Sequence, residues 1–135
     1  MEDTIFTKII RREIPAEIVY EDDRTIAFLD IAPVSPGHTL VVPKTAVRNV
    51  FETDESTWLA VMSTVRKIAP AVRDAVEAKG VHINSNHEPE AGQDVFHLHV
   101  HIIPRKSHEE FSFWPKQDID SSRTKEIAER IRELL

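Results

Sequence analysis

The chain has 135 residues, a length that fits one domain with a single sizeable core. Apolar residues make 41% and charged ones 30%, which excludes a disordered or membrane-embedded chain. The 17 basic against 23 acidic residues give a net charge of −6 and argue against general binding to nucleic-acid backbones. There is no cysteine, hence no disulfide, thiolate nucleophile or Cys-based zinc site. The three glycines (Gly37, Gly80 and Gly92) are too widely spaced for a G-x-G-x-x-G or P-loop phosphate cradle.

The acidic start, Met1-Glu2-Asp3-Thr4, and apolar runs of only a few residues fit neither a signal peptide nor a membrane span, so a cytoplasmic protein is expected. Asp3 or Thr4 caps a short helix through Arg12, with Ile5, Phe6, Ile9 and Ile10 as its apolar stripe. Strands are expected at Glu17–Tyr20 and Thr25–Leu29, joined by the turn Glu21-Asp22-Asp23. Pro33, Pro36 and Gly37 make a constrained loop before a strand over Thr39–Val42. Thr53 or Asp54 caps a long helix running to about Lys79, kinked but not broken at Pro70 and ended by Gly80. A strand follows over Val81–Ser85, then a polar loop, Asn86–Gln93, and a strand over Val95–Ile103 that Pro104 stops. Ser121 or Ser122 starts a last helix, with Ile127, Ile131, Leu134 and Leu135 as its buried side. Short strands with segregated helices predict an α+β fold on an antiparallel sheet, one domain over 1–135.

The informative segment is His97-Leu98-His99-Val100-His101-Ile102-Ile103. Period-2 alternation puts the three imidazoles on one strand face and Leu98, Val100 and Ile102 on the other. Three readings compete: a half-exposed strand that happens to carry histidines, a metal site, and an imidazole nucleophile with imidazole helpers. All three side chains cannot ligate one ion from a regular strand. Positions i and i+4 lie about 13 Å apart, against metal–nitrogen bonds of about 2 Å. Nucleophilic use suits histidine because its nitrogens attack, donate or accept near neutral pH.

The surroundings of this segment are distinctive. Asn86 to Phe96 carries Glu90-Ala91-Gly92-Gln93 directly upstream, and Asp30-Ile31-Ala32-Pro33 with Pro36-Gly37-His38-Thr39-Leu40-Val41-Val42-Pro43-Lys44 forms a second block. Thr4-Ile5-Phe6-Thr7-Lys8-Ile9-Ile10 with Glu13-Ile14-Pro15-Ala16 forms a third. In order and spacing, over about residues 3–105, these blocks resemble the histidine triad superfamily, leaving 106–135 as a tail and helix.

The resemblance implies a five-stranded antiparallel sheet with one long helix and a C-terminal helix. It also implies a homodimeric nucleotidyl hydrolase or transferase, closest to the Hint-like phosphoramidases and acting on purine nucleotide (AMP or GMP) conjugates. His99 resembles the nucleophile that forms a nucleotidyl-histidine intermediate. His101 resembles the residue that contacts phosphate and helps protonate the leaving group, and His97 and His38 resemble its orienting histidines. Asn86 matches an amide near the scissile phosphate. Gly92, Gln93 and Asp94 match the phosphate loop, Asp30 and Ile31 the ribose contacts, and Val100 lies within the nucleotide-binding triad segment. Phe6, Ile9, Phe28 and Leu40 resemble walls around the base, though by themselves they read equally as core.

Several positions depart from the pattern. Thr4, Thr7 and Ala46 stand where many relatives hold structural zinc, so no metal and no other cofactor is expected. Asp94 puts a carboxylate where the Hint branch has serine, and Glu88 stands where a glycine would allow a positive φ without strain. Two further readings stay open: a Fhit-like hydrolase of dinucleoside polyphosphates, and a nucleotide-binding regulatory module with incidental catalysis. The pair Trp114-Pro115 reads either as a lid on the partner subunit's site or as an anchor for the last helix. Trp58, Val61, Val65 and Val72 on the long helix suggest a dimer face there.

Overall fold

The computed structural model describes residues 2–135; Met1, which begins the acidic N-terminal run, lies outside them. Thr4 caps α1 (Ile5–Ile10) by accepting from the Phe6 N–H at 3.1 Å, and its own N–H donates to Thr7 Oγ1 at 2.8 Å, a capping box. This helix stops short of the expected Arg12, because Arg12 turns the chain at φ +63°. Strands β1 (Ile18–Glu21), β2 (Thr25–Leu29) and β3 (Thr39–Pro43) follow, the Asp22 carboxylate closing the first turn on the N–H groups of Arg24 and Thr25, both at 2.8 Å.

Helix α2 (Glu55–Ala75) starts on the Asp54 cap, whose Oδ1 accepts from the Thr57 N–H at 2.7 Å, and it continues through Pro70 as one helix. It ends before the expected Lys79 because Glu77 adopts φ +56°. Gly80 therefore opens β4 (Gly80–Asn84) rather than closing the helix. Strand β5 (Val100–Arg105) completes a five-stranded antiparallel sheet in the order β1-β2-β3-β5-β4, and α3 (Ser121–Leu134) ends the chain. None of the described helices is long and apolar enough to cross a membrane.

Strand β5 differs from expectation at both ends. Residues 95–99 are outside the ladder: 95–97 bend, and the Leu98 N–H donates to the Val47 carbonyl at 2.8 Å instead of to β3. At the other end Pro104 lies inside the strand, opposite Val81. Its carbonyl accepts from Ser35 Oγ at 2.7 Å, so its nitrogen faces the side where β3 has already run out and no ladder bond is lost.

The sheet buries both faces. Ala27, Val41, Leu98, Val100 and Ile102 pack against Val61, Val65 and Ile68 of α2, while Ile26, Phe28, Leu40 and Val42 pack against Phe6 and Ile9 of α1. Val61 and Val65 are thus core residues, whereas Trp58 and Val72 are only partly buried at its rim. Helix α3 buries none of its residues within the chain. Ile131 is 53% and Leu134 68% exposed, so the expected buried side is uncovered here. Trp114, 85% exposed, does not anchor α3 on the sheet.

Gly37 shapes the loop that delivers His38. It sits at φ +89°, and a Cβ there would lie 3.0 Å from Val76 Cγ1 and 3.2 Å from Pro104 Cγ. Gly37→Ala is expected to destabilise the fold by about 2 kcal/mol through backbone strain and overpacking. A urea titration checks it, and an unchanged midpoint would contradict the tight packing.

Candidate active site

Alternation survives where the ladder does not. Leu98, Val100 and Ile102 point into the α2 core, while His97, His99 and His101 turn to the α1 face, where the Phe6 ring meets His99 edge-on at 4.9 Å between centroids. The hydrogen bonds then fix which nitrogen carries each proton. His99 Nδ1 lies 2.7 Å from the His97 carbonyl, which can only accept, so Nδ1 is protonated and Nε2 keeps its lone pair. The Val34 N–H donates to His38 Nδ1 at 3.0 Å, which leaves the proton of a neutral His38 on Nε2. That Nε2 lies 2.9 Å from His101 Nδ1 and donates to it, so His101 in turn is protonated on Nε2. His97 donates from Nε2 to the Pro43 carbonyl at 2.8 Å, and its buried Nδ1 has no partner among the described residues.

Burial lowers the pKa of all four imidazoles. His101 is pushed down to about 4 by desolvation, with the nearby His99 and His38 adding to it. His38, His97 and His99 are lowered first by desolvation. At His99 the His97 carbonyl and the carboxylates of Asp94 and Asp30 oppose the shift. At neutral pH the cluster is uncharged, and His99 is a free base.

Unfolded imidazoles bind protons from about pH 6.5 downward, whereas these do so only at lower pH. Between the two values the unfolded chain holds more protons. Stability is therefore expected to be full above about pH 6.5 and to fall as the pH drops toward the folded values. Urea titrations at about pH 7 and about pH 5 check this; equal stability would contradict the burial of neutral histidines.

His99 and His101 open onto a cavity of about 270 Å³. Phe6, Ile9, Phe28 and Leu40 form its apolar walls, and Asp30, Ile31 and Asp94 stand at its mouth. The four apolar side chains are buried core and cavity wall at once.

The comparisons with known proteins agree with this arrangement. The HIT domain profile matches residues 11–108. The chain belongs to the HIT family. Protein hit of Bacillus subtilis is 49% identical over 104 residues, 77% of this chain and 72% of its own length. A crystal structure of a HIT-family protein from the same organism matches at TM-score 0.90 and 40% identity, covering 99% of this chain and 98% of that one. A Streptococcus mutans protein of known structure matches at TM-score 0.91 and 41% identity over 98% of this chain and 85% of its own.

Other expected site residues take different places in this HIT domain. His38 sits behind His101 and His97 is fully buried, so both make hydrogen bonds within the cluster and neither faces the cavity. Val100 points to the opposite core, so its side chain cannot meet a nucleotide on this face. Asn86 is tied to the loop, donating from Nδ2 to the Gly92 carbonyl at 3.3 Å. Gln93 is buried with all four side-chain hydrogen-bonding positions used. Its Oε1 accepts from the Glu88 N–H at 2.8 Å and from Asn49 Nδ2 at 3.1 Å. Its Nε2 donates to the carbonyls of Arg48 at 2.8 Å and Val95 at 3.1 Å. Gln93 therefore holds the loop and has nothing left to offer a phosphate.

Glu88 does adopt the positive φ that its side chain disfavours, +81°. Its carboxylate is held there by Arg48 Nε at 2.7 Å and Asn49 Nδ2 at 2.6 Å. Sequence reasoning missed Arg48 and Asn49, as it missed Ile14, Pro15, Ala16 and Val95 on the cavity wall. The run Arg48-Asn49 has no pattern of its own; only the fold brings it to Glu88.

One carboxylate and two imidazoles could hold a metal ion, since Asp30, His38 and His101 offer ligand atoms within 4.8 Å of one another. The fit is poor for the neutral cluster. His38 Nε2 and His101 Nδ1 are at hydrogen-bond distance, 2.9 Å, while two tetrahedral zinc ligands stand about 3.3 Å apart. Metal would displace the proton that fixes the His101 tautomer.

Proposed function

We propose that this HIT protein hydrolyses nucleoside 5′-monophosphate conjugates, purine phosphoramidates or acyl-nucleotides, through a nucleotidyl intermediate on His99, as in the Hint-like branch. The observation that carries the reading is the protonation pattern: an uncharged His99 with Nδ1 bound to a carbonyl and Nε2 free toward the cavity. The base lies among Phe6, Ile9, Phe28 and Leu40, with the ribose at Asp30. His99 Nε2 attacks the α-phosphorus and forms a P–N bond as the bond to the leaving group breaks. The His101 Nε2–H donates a hydrogen bond to the departing atom, which leaves with a proton drawn from water. Water then attacks phosphorus, releases the nucleotide and restores His99. Two displacements replace one harder one, and the donor aimed at developing charge lowers each barrier.

Steady-state rates on an adenosine phosphoramidate and on a dinucleoside polyphosphate test the reading. Faster turnover of the phosphoramidate supports it, and preference for the polyphosphate favours the Fhit-like alternative. Tight nucleotide binding with neither substrate turned over would make this a regulatory module and overturn the reading.

The active species is a homodimer in this proposal. The surface to be covered lies on α3 and the tail, where Ile131, Leu134, Phe113 and Trp114 are exposed together with the chain end at Leu135. Sedimentation at micromolar concentration is expected to give twice the chain mass, and truncation before α3 to weaken association. A fully active monomer would refute the dimer.

A further inference from the structure

Asp94 is the charged residue of the His99 cavity that the proposed chemistry leaves without a role. The chain on either side of it is fixed. Gln93 is buried on its four side-chain hydrogen bonds, and Val95 packs against the core on the α1 side. The Asp94 side chain itself is exposed, lines the cavity at His99 and forms no ion pair among the described residues. Desolvation lowers the pKa of His99 and His101, and the Asp94 charge acts against it at both imidazoles.

The cavity has an unusual charge for one that receives a phosphate. Among the described residues its charged lining is Asp30 and Asp94, with no lysine or arginine to offset an anion. Asp30 is already engaged, accepting from the Ala32 N–H at 2.9 Å and lying 3.7 Å from His38 Nε2. A second cavity, of about 510 Å³, adjoins the first and shares Ile5, Asp94 and Val95 with it. Its charged lining is Glu2, Asp3, Asp94 and Arg48. Asp3 is paired with Arg11 and Arg48 with Glu88, both at 2.7 Å, so the charges left over are the carboxylates of Glu2 and Asp94.

We propose that Asp94 is a specificity-determining residue, a charge filter that admits neutral or cationic leaving groups and rejects those carrying an anion beyond the α-phosphorus. The inference rests on the proposed chemistry at His99 and narrows its substrates. With the base among Phe6, Ile9, Phe28 and Leu40 and the ribose at Asp30, the rest of the substrate runs past Asp94 into the second cavity. The charge of the α-phosphoryl group is met by the His101 Nε2–H. A further negative charge meets the free Asp94 carboxylate and no cation, and the resulting repulsion discriminates against it.

Three adenosine 5′-phosphoramidates test the filter, their leaving amines alike in size and ending in an ammonium, a hydroxyl or a carboxylate. The wild-type kcat/KM is expected to be at least about tenfold lower for the carboxylate than for the hydroxyl, with the ammonium no worse than the hydroxyl. Asp94→Asn, nearly isosteric, should shrink the hydroxyl-to-carboxylate ratio to about twofold, and Asp94→Glu should keep most of it. A general loss of activity cancels in the ratio. Raising the ionic strength from about 0.01 M to about 1 M should shrink the wild-type ratio as well, because an exposed charge is screened. A ratio near one in the wild type, or one unchanged in Asp94→Asn, would overturn the filter.

A binding comparison separates the filter from the chemistry. In calorimetric titrations without divalent ions, wild type is expected to bind AMP at least about fivefold more tightly than ADP, and Asp94→Asn to bring the two within about twofold. If the wild-type protein turns over none of the three conjugates, the chemistry at His99 fails, while this comparison still decides Asp94. Equal affinity of the wild type for AMP and ADP would overturn its role.

Discussion

Replacing His99 by alanine is expected to lower turnover by about a thousandfold or more while nucleotide affinity changes little. His99 Nε2 is the lone pair the hydrogen bonds leave free on the cavity wall; the proton on His101 Nε2 and the buried position of His97 disqualify their neighbours. The walls assigned to the base belong to Phe6, Ile9, Phe28 and Leu40, side chains that the substitution leaves in place. Binding and chemistry should therefore separate, with kcat carrying the loss. Intact-mass analysis after rapid quenching should find a nucleotidyl adduct on the wild-type chain and none on His99→Ala. A variant that keeps the wild-type rate would remove the covalent route altogether.

Local signals placed most of the fold. The Thr4 and Asp54 caps and the β-branched run at Thr39–Val42 each act within a few residues, and α1, α2 and β3 begin where those signals put them. The alternation from His97 to Ile102 assigned faces correctly, although it did not set the start of β5. Errors arose where a boundary depends on a distant partner. Pro104 stays in β5 because β3 does not reach beside it, and residues 95–99 leave the ladder where the chain bends and the Leu98 N–H turns to the distant Val47 carbonyl. The apolar stripe of α3 was legible, but what covers it is not part of this chain's own packing.

In the site, the histidines and apolar walls could be named from sequence, while their protonation could not. The tautomer of His101 depends on His38, 63 residues away, and through it on the Val34 N–H. Glu88 shows the same limit. Its unfavourable φ is held by Arg48 and Asn49, 40 and 39 residues distant, which no local pattern connects to it.

The second large effect is expected at Gln93, and it separates two roles for that residue. If its amide contacted phosphate, as the family resemblance implies, Gln93→Leu would raise KM and leave the fold intact. The hydrogen bonds argue otherwise. Leucine fills a similar volume but strands the Glu88 N–H, Asn49 Nδ2 and the carbonyls of Arg48 and Val95. Asn49 can still donate to Glu88, and the Arg48 and Val95 carbonyls lie near the surface, so only part of that loss is uncompensated. Unsatisfied buried groups cost about 1–3 kcal/mol each, and the variant is expected to lose about 3–5 kcal/mol of stability. Without the Gln93 bond to its N–H, Glu88 should abandon its positive φ, and the segment that carries Asp94 to the cavity should lose its position. Urea unfolding and steady-state kinetics on one preparation decide between the roles. A large fall in midpoint together with a fall in kcat identifies Gln93 as the clamp that holds the loop against the Arg48–Asn49 turn. A near-native midpoint with only KM raised would return the side chain to the phosphate.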